Sequence, residues 1–248
     1  MRLLAWNLNH RAARRSIPGW IAESIAVQAP DVLVLTEYVE GNDHGSFCRA
    51  LCETGLRHIT YTPRVSHENQ TLIATRQPHH PGHLSPPAIC RSLPQNFLHI
   101  QLSLEQVHVV GFRMPAYVSS ARLLKRQTWE WLLGATSPLL ALPALIAGDF
   151  NTAFDDPKGA CGNCLNAMVE MGWRRADPGP DAISFYSRIG RGRLIHHAFL
   201  SPKLHSVAAE TSWHFRDHSP DAAATRVGRP DHAMLLVEVR DCPSPGRD

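Results

Sequence analysis

Apolar positions along the chain fall into short continuous runs, which are typical of strands buried on both faces. The run at 31–37 reads Asp-Val-Leu-Val-Leu-Thr-Glu and ends on Glu37. Residues 97–104 instead alternate apolar with polar side chains, which predicts a strand with one wet face. Further strands are predicted at 2–8, 107–112, 142–147, 183–187, 194–200, 207–213 and 233–239.

Two segments between these strands have the pattern of helices. Residues 18–28 begin with a proline, which is favoured in the first helical turn, and residues 121–133 place Leu124 and Trp131 at helical spacing. Residues 77–94 are rich in proline and histidine and are predicted to form a surface loop. Because strands dominate and helices lie between them, the pattern favours an α/β sandwich of two sheets with outer helices.

The length and composition are those of one folded domain. The chain has 248 residues, of which 44% are apolar and 19% charged, values that exclude a disordered or fibrous protein. We expect a single domain over 1–241 and a disordered tail at 242–248. The longest apolar run, at 138–147, is too short for a membrane span, so no membrane association is expected. The N-terminus has no apolar signal region, which predicts a cytoplasmic protein.

The formal net charge is weakly positive, at +3, and only Lys125, Lys158 and Lys203 are lysines. Such a balance is compatible with a phosphate-rich partner but does not demand one, and the arginine bias can equally reflect codon composition. Three groups of arginines could bind along a phosphate backbone. They are Arg11 with Arg14 and Arg15, Arg174 with Arg175, and Arg188 with Arg191 and Arg193.

The six cysteines are too sparse for a disulfide scaffold. Cys161 and Cys164 form a lone CxxC motif, with no second pair spaced as a zinc site requires. Cys48 and Cys52 lie one helical turn apart. We expect free structural thiols, with a zinc or redox role for the CxxC motif as the alternative.

Small polar clusters lie where the predicted buried strands end or begin. The clusters consist of Asn7 and Asn9, Glu37, Asp149 and Asn151, and Asp231 with His232. Strand ends hold side chains on a rigid scaffold, as an active site requires. Hydrolysis of a phosphodiester needs a hard cation such as Mg²⁺, an oriented water and stabilisation of charge at phosphorus. The residue types in these clusters can bind the cation, orient the water and stabilise the charge.

In this order the clusters resemble the motifs of the endonuclease/exonuclease/phosphatase superfamily, to which exonuclease III and DNase I belong. The matching segments are Trp-Asn-Leu-Asn at 6–9, the strand 30–37, Gly-Asp-Phe-Asn-Thr at 148–152 and Asp-His at 231–232. The resemblance covers nearly the whole chain and implies a four-layer α/β/β/α sandwich of two mixed sheets. It also implies a phosphoesterase that depends on Mg²⁺, for which Mn²⁺ can substitute.

The resemblance assigns the metal ligands first. Glu37 would be the principal Mg²⁺ ligand, and Asp231 would lie near the metal. Asn7 and Asn9 would lie at the metal and phosphate site. These four residues are therefore the predicted metal-binding set, and Asn7 is also expected to take part in catalysis.

The same resemblance assigns the catalytic roles. Asp149 would position or activate the attacking water, Asn151 would contact the phosphate, and His232 would face the scissile phosphate. The superfamily carries an aspartate that orients the catalytic histidine, and His196 occupies its place here. Because an aspartate favours the charged imidazole and a histidine does not, we expect His232 to titrate lower than in a relative with the aspartate.

A second departure lies in the middle of the chain. The Asn-x-His motif of DNase-like members is absent, and 109–117 stands in its place. On the next predicted helix, Lys125 falls where exonuclease III-type proteins carry a phosphate-contacting tyrosine, and it is predicted to bind phosphate. A solvated helix face is the alternative for Lys125 and for Arg122, and Arg113 beside a strand end has the same ambiguity.

Nucleic acid is the predicted substrate of a monomeric, Mg²⁺-dependent nuclease, and no protein partner can be inferred. Phe185, Tyr186 and Ile195 lie in the region where related proteins form abasic-site pockets, but the sequence does not identify such a pocket, and aromatic residues there also serve in cores. The first alternative is a phosphatase or phosphodiesterase acting on a small-molecule or lipid phosphoester, because the fold hosts these as well. The second alternative is a catalytically impaired binding protein, which the substitution at His196 would support.

Overall fold

The computed structural model describes residues 1–9, 17–66, 68–90, 92–116, 121–187, 190–214 and 231–242. Within them the strands are β1 (Arg2–Asn7), β2 (Val32–Tyr38), β3 (His58–Tyr61), β4 (Gln70–Thr75), β5 (His79–Pro81), β6 (Phe97–Leu102), β7 (His108–Arg113), β8 (Ala144–Asp149), β9 (Arg174–Arg175), β10 (Phe185–Tyr186), β11 (Gly192–Arg193), β12 (His196–Leu200), β13 (Leu204–Ser212) and β14 (Met234–Asp241). The α-helices are α1 (Gly19–Gln28), α2 (His44–Glu53), α3 (Arg122–Thr136) and α4 (Gly162–Glu170).

The first sheet has the strand order β13-β14-β1-β2-β4-β3. β1 runs parallel to β2, and Asn7 pairs with Thr36 in their register. All seven residues of β2 are buried, which explains its continuous apolar pattern. Because parallel strands end at the same edge of a sheet, Asn7 and Glu37 emerge side by side.

The second sheet has the strand order β5-β6-β7-β8-β12-β9. β7 runs parallel to β8, and Arg113 pairs with Asp149 at their ends. β12 runs antiparallel to β8 and begins at His196, opposite Asp149. Three neighbouring strands therefore place Arg113, Asp149 and His196 in one row at one edge.

Three apolar layers hold the molecule together. Inward residues of the two sheets, such as Ala5, Val34 and Leu145, form the central layer. Ile21 and Leu51 of helices α1 and α2 pack on the outer face of the first sheet. Trp129 and Leu132 of α3 and Leu165 and Met168 of α4 cover the outer face of the second sheet, where Phe199 of β12 belongs to the same cluster. The predicted four-layer α/β/β/α sandwich of two mixed sheets is confirmed.

Several elements differ from the sequence prediction. Helices α2 and α4 and strands β3 and β4 were not predicted, and the loop at 77–94 contains β5 and a short 3₁₀ turn, Leu93–Asn96. The strand predicted at 183–187 is reduced to Phe185–Tyr186, because its ladder is limited to the two residues of β11, beside an isolated bridge from Phe185 to His232. Among the described residues no helix is long and apolar enough to cross a membrane.

Some sequence predictions fall on residues that the structure does not describe. They are Arg11, Arg14 and Arg15 of the first arginine group, Arg188 of the third, and the tail from 243 to 248. The boundary of the single domain at 241 stays a prediction. The six cysteines are free thiols, and Cys161 is buried at the start of α4.

Candidate active site

The predicted polar clusters meet at one edge of the sandwich, where the two sheets are joined by a side-chain hydrogen bond. Asn7, at the end of β1 in the first sheet, donates from Nδ2 to Oδ2 of Asp149, at the end of β8 in the second, over 2.8 Å. Both side chains are almost fully buried. Asn9 follows with its backbone in the left-handed region, and its N–H donates to Oδ1 of Asn7 over 2.8 Å.

Asp149 is the acceptor at the centre of this network. Besides the bond from Asn7, its Oδ1 accepts the backbone N–H of Asn151 at 2.8 Å, and its Oδ2 accepts Nδ2 of Asn151 at 3.1 Å. Three donors therefore hold the carboxylate in one orientation, and Oδ1, which accepts one of them, keeps a lone pair for a further partner.

Asn151 occupies a left-handed backbone position, with φ of 47°, which asparagine tolerates better than most residues. Its Nδ2 also donates to the carbonyl of Met114 at 2.9 Å. Behind it lies Lys125, whose Nζ donates to the carbonyl of Asn151 at 2.7 Å and whose side chain has no exposed surface. Burial lowers the pKa of this ammonium. The structure therefore places Lys125 behind the site rather than on its surface, where direct contact with phosphate was predicted.

Glu37, the last residue but one of β2, has a left-handed backbone, φ of 50°, within an irregularity in the pairing of β2 with β4. Its Oε1 accepts both Nε of Arg113 at 2.8 Å and Nη2 of Arg113 at 2.6 Å. Both side chains are largely buried, so the carboxylate and the guanidinium neutralise one another. Arg113 has no definite role in the sequence prediction, because nothing in the sequence shows that β7 ends opposite β2.

His196 and His232 touch. Nε2 of His196 lies 2.8 Å from Nδ1 of His232, and the planes of the two rings differ by 5°. Burial is the main cause that lowers the pKa of both histidines, and the neighbouring His196 lowers the pKa of His232 further. Asp217 and Asp221, which could have provided an alternative acid near His232, lie outside the described residues.

The backbone of His232 is held on two sides. Its carbonyl accepts Nε1 of Trp6 at 3.0 Å, and the residue forms an isolated β-bridge with Phe185. The rings of Phe185 and His232 lie 4.9 Å apart. Asp231, which precedes it, places Oδ1 3.4 Å from Nε2 of His232.

The three residues in the region where related proteins have abasic-site pockets lie in different surroundings. Phe185 is half-buried beside His232, Tyr186 is half-buried beside Trp213, and Ile195 belongs to the core. Ser184, which the sequence did not single out, accepts the backbone N–H groups of Ile195 and His196 on its Oγ at 2.8 and 2.9 Å. This hydroxyl fixes the start of β12 and therefore the position of His196, and no sequence pattern indicates it.

The structure thus brings Asn7, Glu37, Asp149, Asn151, His196 and His232 to one edge, with Asn9 and Asp231 beside them. Among the residues that the structure describes, one group of three ionisable side chains has ligand atoms close enough to hold a metal ion. It consists of Asp149, His196 and His232, whose atoms all lie within 4.8 Å of one another.

No model of a known protein family matches the sequence. No curated protein matches it either. Solved structures do match the fold. An AP endonuclease from Archaeoglobus fulgidus has a TM-score of 0.73 at 15% identity, with 96% of this chain and 98% of that chain covered.

Two further structures agree. The 3′ phosphatase NExo from Neisseria, bound to a product DNA hairpin, has a TM-score of 0.72 at 19% identity over 96% of this chain and 98% of that chain. An endonuclease/exonuclease/phosphatase from Beutenbergia cavernae DSM 12333 has a TM-score of 0.72 at 19% identity, over 97% of this chain and 71% of that chain. At these identities the similarity shows the fold.

Proposed function

We propose that this chain, which has the fold of endonuclease/exonuclease/phosphatase proteins, is a metal-dependent phosphoesterase that hydrolyses phosphodiester bonds in nucleic acid. The observation that carries the proposal is the buried network in which Asn7 and Asn151 hold the carboxylate of Asp149, with His232 beside it. Structures with the same fold include proteins named AP endonuclease and 3′ phosphatase, which supports a reaction at a phosphoester.

A hard divalent cation fits the oxygen donors of this edge. Glu37 offers a buried carboxylate, Asn7 an amide oxygen and Asp231 a second carboxylate. Mg²⁺ prefers oxygen ligands and is usually bound by only one or two protein carboxylates. These residues would hold Mg²⁺, and Mn²⁺ could replace it. When bound, the ion would neutralise charge on the phosphate oxygens. The positive charge that pairs with the Glu37 carboxylate in the structure is the guanidinium of Arg113.

The side chains around the phosphate position would divide the remaining work. Asp149, oriented by three donors, would accept a proton from the attacking water. The amide of Asn151 would donate to a phosphate oxygen by exchanging one of the two hydrogen bonds that its Nδ2 gives to Asp149 and Met114. Because burial lowers its pKa, His232 is neutral at physiological pH and would act as a hydrogen-bond donor rather than a cation. Lys125 would act as a positioning residue that holds the main chain of Asn151.

Nucleic acid is favoured as the substrate by the half-buried ring of Phe185 beside His232 and by that of Tyr186, the next residue, because bases stack on aromatic side chains. The arginine groups give less support than the sequence suggested. Arg193 donates to both carboxylate oxygens of Asp156 at 2.5 Å, and Arg175 pairs with Asp177 at 3.2 Å. These pairs favour the second candidate, a phosphatase acting on a small phosphoester, because paired arginines attract a polyanion less strongly.

The two candidates differ in the salt dependence of binding. A protein that follows a phosphate backbone loses affinity steeply as salt rises, whereas a small-phosphoester enzyme does not. We would measure turnover of duplex, single-stranded and abasic DNA, RNA and small phosphoesters with Mg²⁺ and Mn²⁺, and DNA binding at several salt concentrations. DNA turnover with a steep salt slope is expected. Turnover confined to small phosphoesters would favour the second candidate.

The metal assignment is tested with Glu37→Gln, which removes the charge and keeps the shape. Calorimetry should show much weaker Mg²⁺ binding, and unchanged affinity would contradict the assignment. Absence of any metal-dependent turnover in the folded wild-type protein would favour a catalytically impaired binding protein. A monomeric state and a cytoplasmic location stay predictions.

A further inference from the structure

The two buried histidines of the site point one ring nitrogen at each other. Nε2 of His196 and Nδ1 of His232 are 2.8 Å apart, and 1% of His196 and 7% of His232 are exposed. Burial disfavours the charged form of both rings. In two neutral imidazoles, only one proton can lie between these nitrogens, and a metal ion can take its place.

The far sides of the two rings have the partners that metal-bound histidines use. A ligating histidine usually donates its other N–H to a carboxylate or to a backbone carbonyl. For His232 the carboxylate on this side is that of Asp231, whose Oδ1 lies 3.4 Å from Nε2, a close contact rather than a hydrogen bond of ordinary geometry. For His196 the corresponding group is the carbonyl of Ala233, which raises the pKa of His196 and so favours a proton on its ring. In the described part of the chain, however, Nδ1 of His196 makes no hydrogen bond of ordinary geometry. When the protons are on Nδ1 of His196 and Nε2 of His232, the two facing nitrogens, Nε2 of His196 and Nδ1 of His232, have lone pairs for a metal ion.

Asp149 supplies the third donor. It lies directly opposite His196 in the pairing of β8 with β12, and one of its oxygens is within 4.8 Å of a nitrogen from each histidine. Around a tetrahedral Zn²⁺ with bonds of about 2.1 Å, ligand atoms are about 3.4 Å apart. To reach this spacing the two near nitrogens, 2.8 Å apart, would open by about 0.6 Å, and the separations of up to 4.8 Å would close by at most about 1.4 Å. We propose that Asp149, His196 and His232 form a binding site for a divalent transition metal ion of the Zn²⁺ class.

Two nitrogens and one oxygen select a different ion from the oxygen donors around Glu37. Imidazole suits Zn²⁺ and its neighbours in the first transition row, whereas Mg²⁺ prefers carboxylate, carbonyl and water. His196 decides this preference, because an aspartate at 196 would leave one nitrogen ligand. Three protein ligands leave a coordination position for water or a phosphate oxygen. The binding site stands on its own geometry, whereas its part in turnover rests on the proposed function.

The test measures binding of Zn²⁺ to the full chain by calorimetry, without reference to turnover. Because Cys161 and Cys164 can also bind Zn²⁺, the background carries Cys161→Ser and Cys164→Ser. One equivalent of Zn²⁺ should bind, and His196→Asn should weaken its binding about a hundredfold. The matched control is His108→Gln, which removes a histidine from a buried histidine pair without a carboxylate and should leave Zn²⁺ affinity unchanged.

A second measurement covers the case in which His196→Asn fails to fold. X-ray absorption of the Zn²⁺-loaded background protein should show nitrogen and oxygen ligands with at least two imidazoles, and Asp149→Asn should weaken binding as well. Unchanged Zn²⁺ affinity in folded His196→Asn, equal loss in His108→Gln, or a ligand shell without imidazole would overturn the inference. Zn²⁺ binding without turnover of any phosphoester would contradict the proposed function alone. Mg²⁺-dependent turnover without the Zn²⁺ site would contradict this inference alone.

Discussion

Two buried histidine pairs lie in or beside the second sheet, and their surroundings differ. His196 and His232 meet at 2.8 Å in the candidate site, and His99 and His108 meet at 3.0 Å toward the other end of the strands. His108 begins β7, and Arg113 ends it at the site, about 17 Å away at 3.3 Å per residue.

The second pair is satisfied by the main chain. The backbone N–H of Leu84 donates to Nδ1 of His99 at 3.1 Å, so Nε2 of His99 carries the proton and donates to Nδ1 of His108. Burial is the largest cause that lowers the pKa of His99 to about 3, followed by His108 and His83. No carboxylate forms a metal-binding group with it among the described residues. A histidine pair with its protons assigned by backbone groups stabilises the fold, whereas one beside carboxylates has the donors for chemistry.

The largest expected difference between the pairs is in turnover. His232→Ala removes a donor at the phosphate and should lower turnover about a hundredfold or more, and Asp149→Asn should do the same by removing the proton acceptor. His108→Gln should keep the specific activity within about twofold. Steady-state kinetics on the folded fraction measures both, and a comparable loss in His108→Gln would remove the distinction.

The second difference should appear in stability. His99→Leu removes the hydrogen-bond partner of the partly buried N–H of Leu84 and of the buried Nδ1 of His108, so the free energy of unfolding should fall by about 1–3 kcal/mol. His232→Ala, at the edge of the sandwich, should cost less. Urea unfolding followed by circular dichroism gives both values. A larger loss for His232→Ala would mean that the site pair also carries the fold.

The support behind the site gives a smaller effect. Lys125→Met keeps the length of the side chain but removes the donor to the carbonyl of Asn151, so turnover should fall about tenfold through kcat, with little change in KM. The free energy of unfolding should stay within about 1 kcal/mol, because loss of the bond is offset by removal of a desolvated ammonium. If Lys125 contacted the phosphate directly, KM would rise instead.

The most gradual effect is that of pH on stability. The pKa of His99 is about 3 and that of His79 about 4 in the folded chain, against about 6.5 unfolded. Below pH 6.5 the unfolded chain binds protons that the folded chain excludes, so stability falls as pH falls, by up to about 1.4 kcal/mol per pH unit for each group. Tm measured from pH 7.5 to pH 4.5 should decline, and less steeply in His99→Leu. If Tm fell equally steeply with pH in the wild-type protein and in His99→Leu, the conclusion that His99 is neutral in the folded chain would be contradicted.

Part of the site follows from local pattern. A continuous apolar run that ends on a carboxylate marks the end of a buried strand, so Glu37 and Asp149 could be placed at strand ends from the sequence. The motifs at 6–9, 148–152 and 231–232 indicated the fold and the residues that meet at its edge. Local pattern could also mark His196 as a departure, because it stands where a known motif has an aspartate.

Contacts between distant segments were decided only by the tertiary structure. The sequence contains no sign that Arg113 reaches Glu37, that Lys125 turns inward to the carbonyl of Asn151, or that Ser184 fixes the start of β12. Strand register and the meeting of two sheets set these contacts, and both arise from packing over the whole chain rather than from neighbouring residues. The same reason separates the two histidine pairs. Along the sequence each is merely two histidines, and only the fold places Asp149 and Asp231 beside one pair and the backbone of Leu84 beside the other.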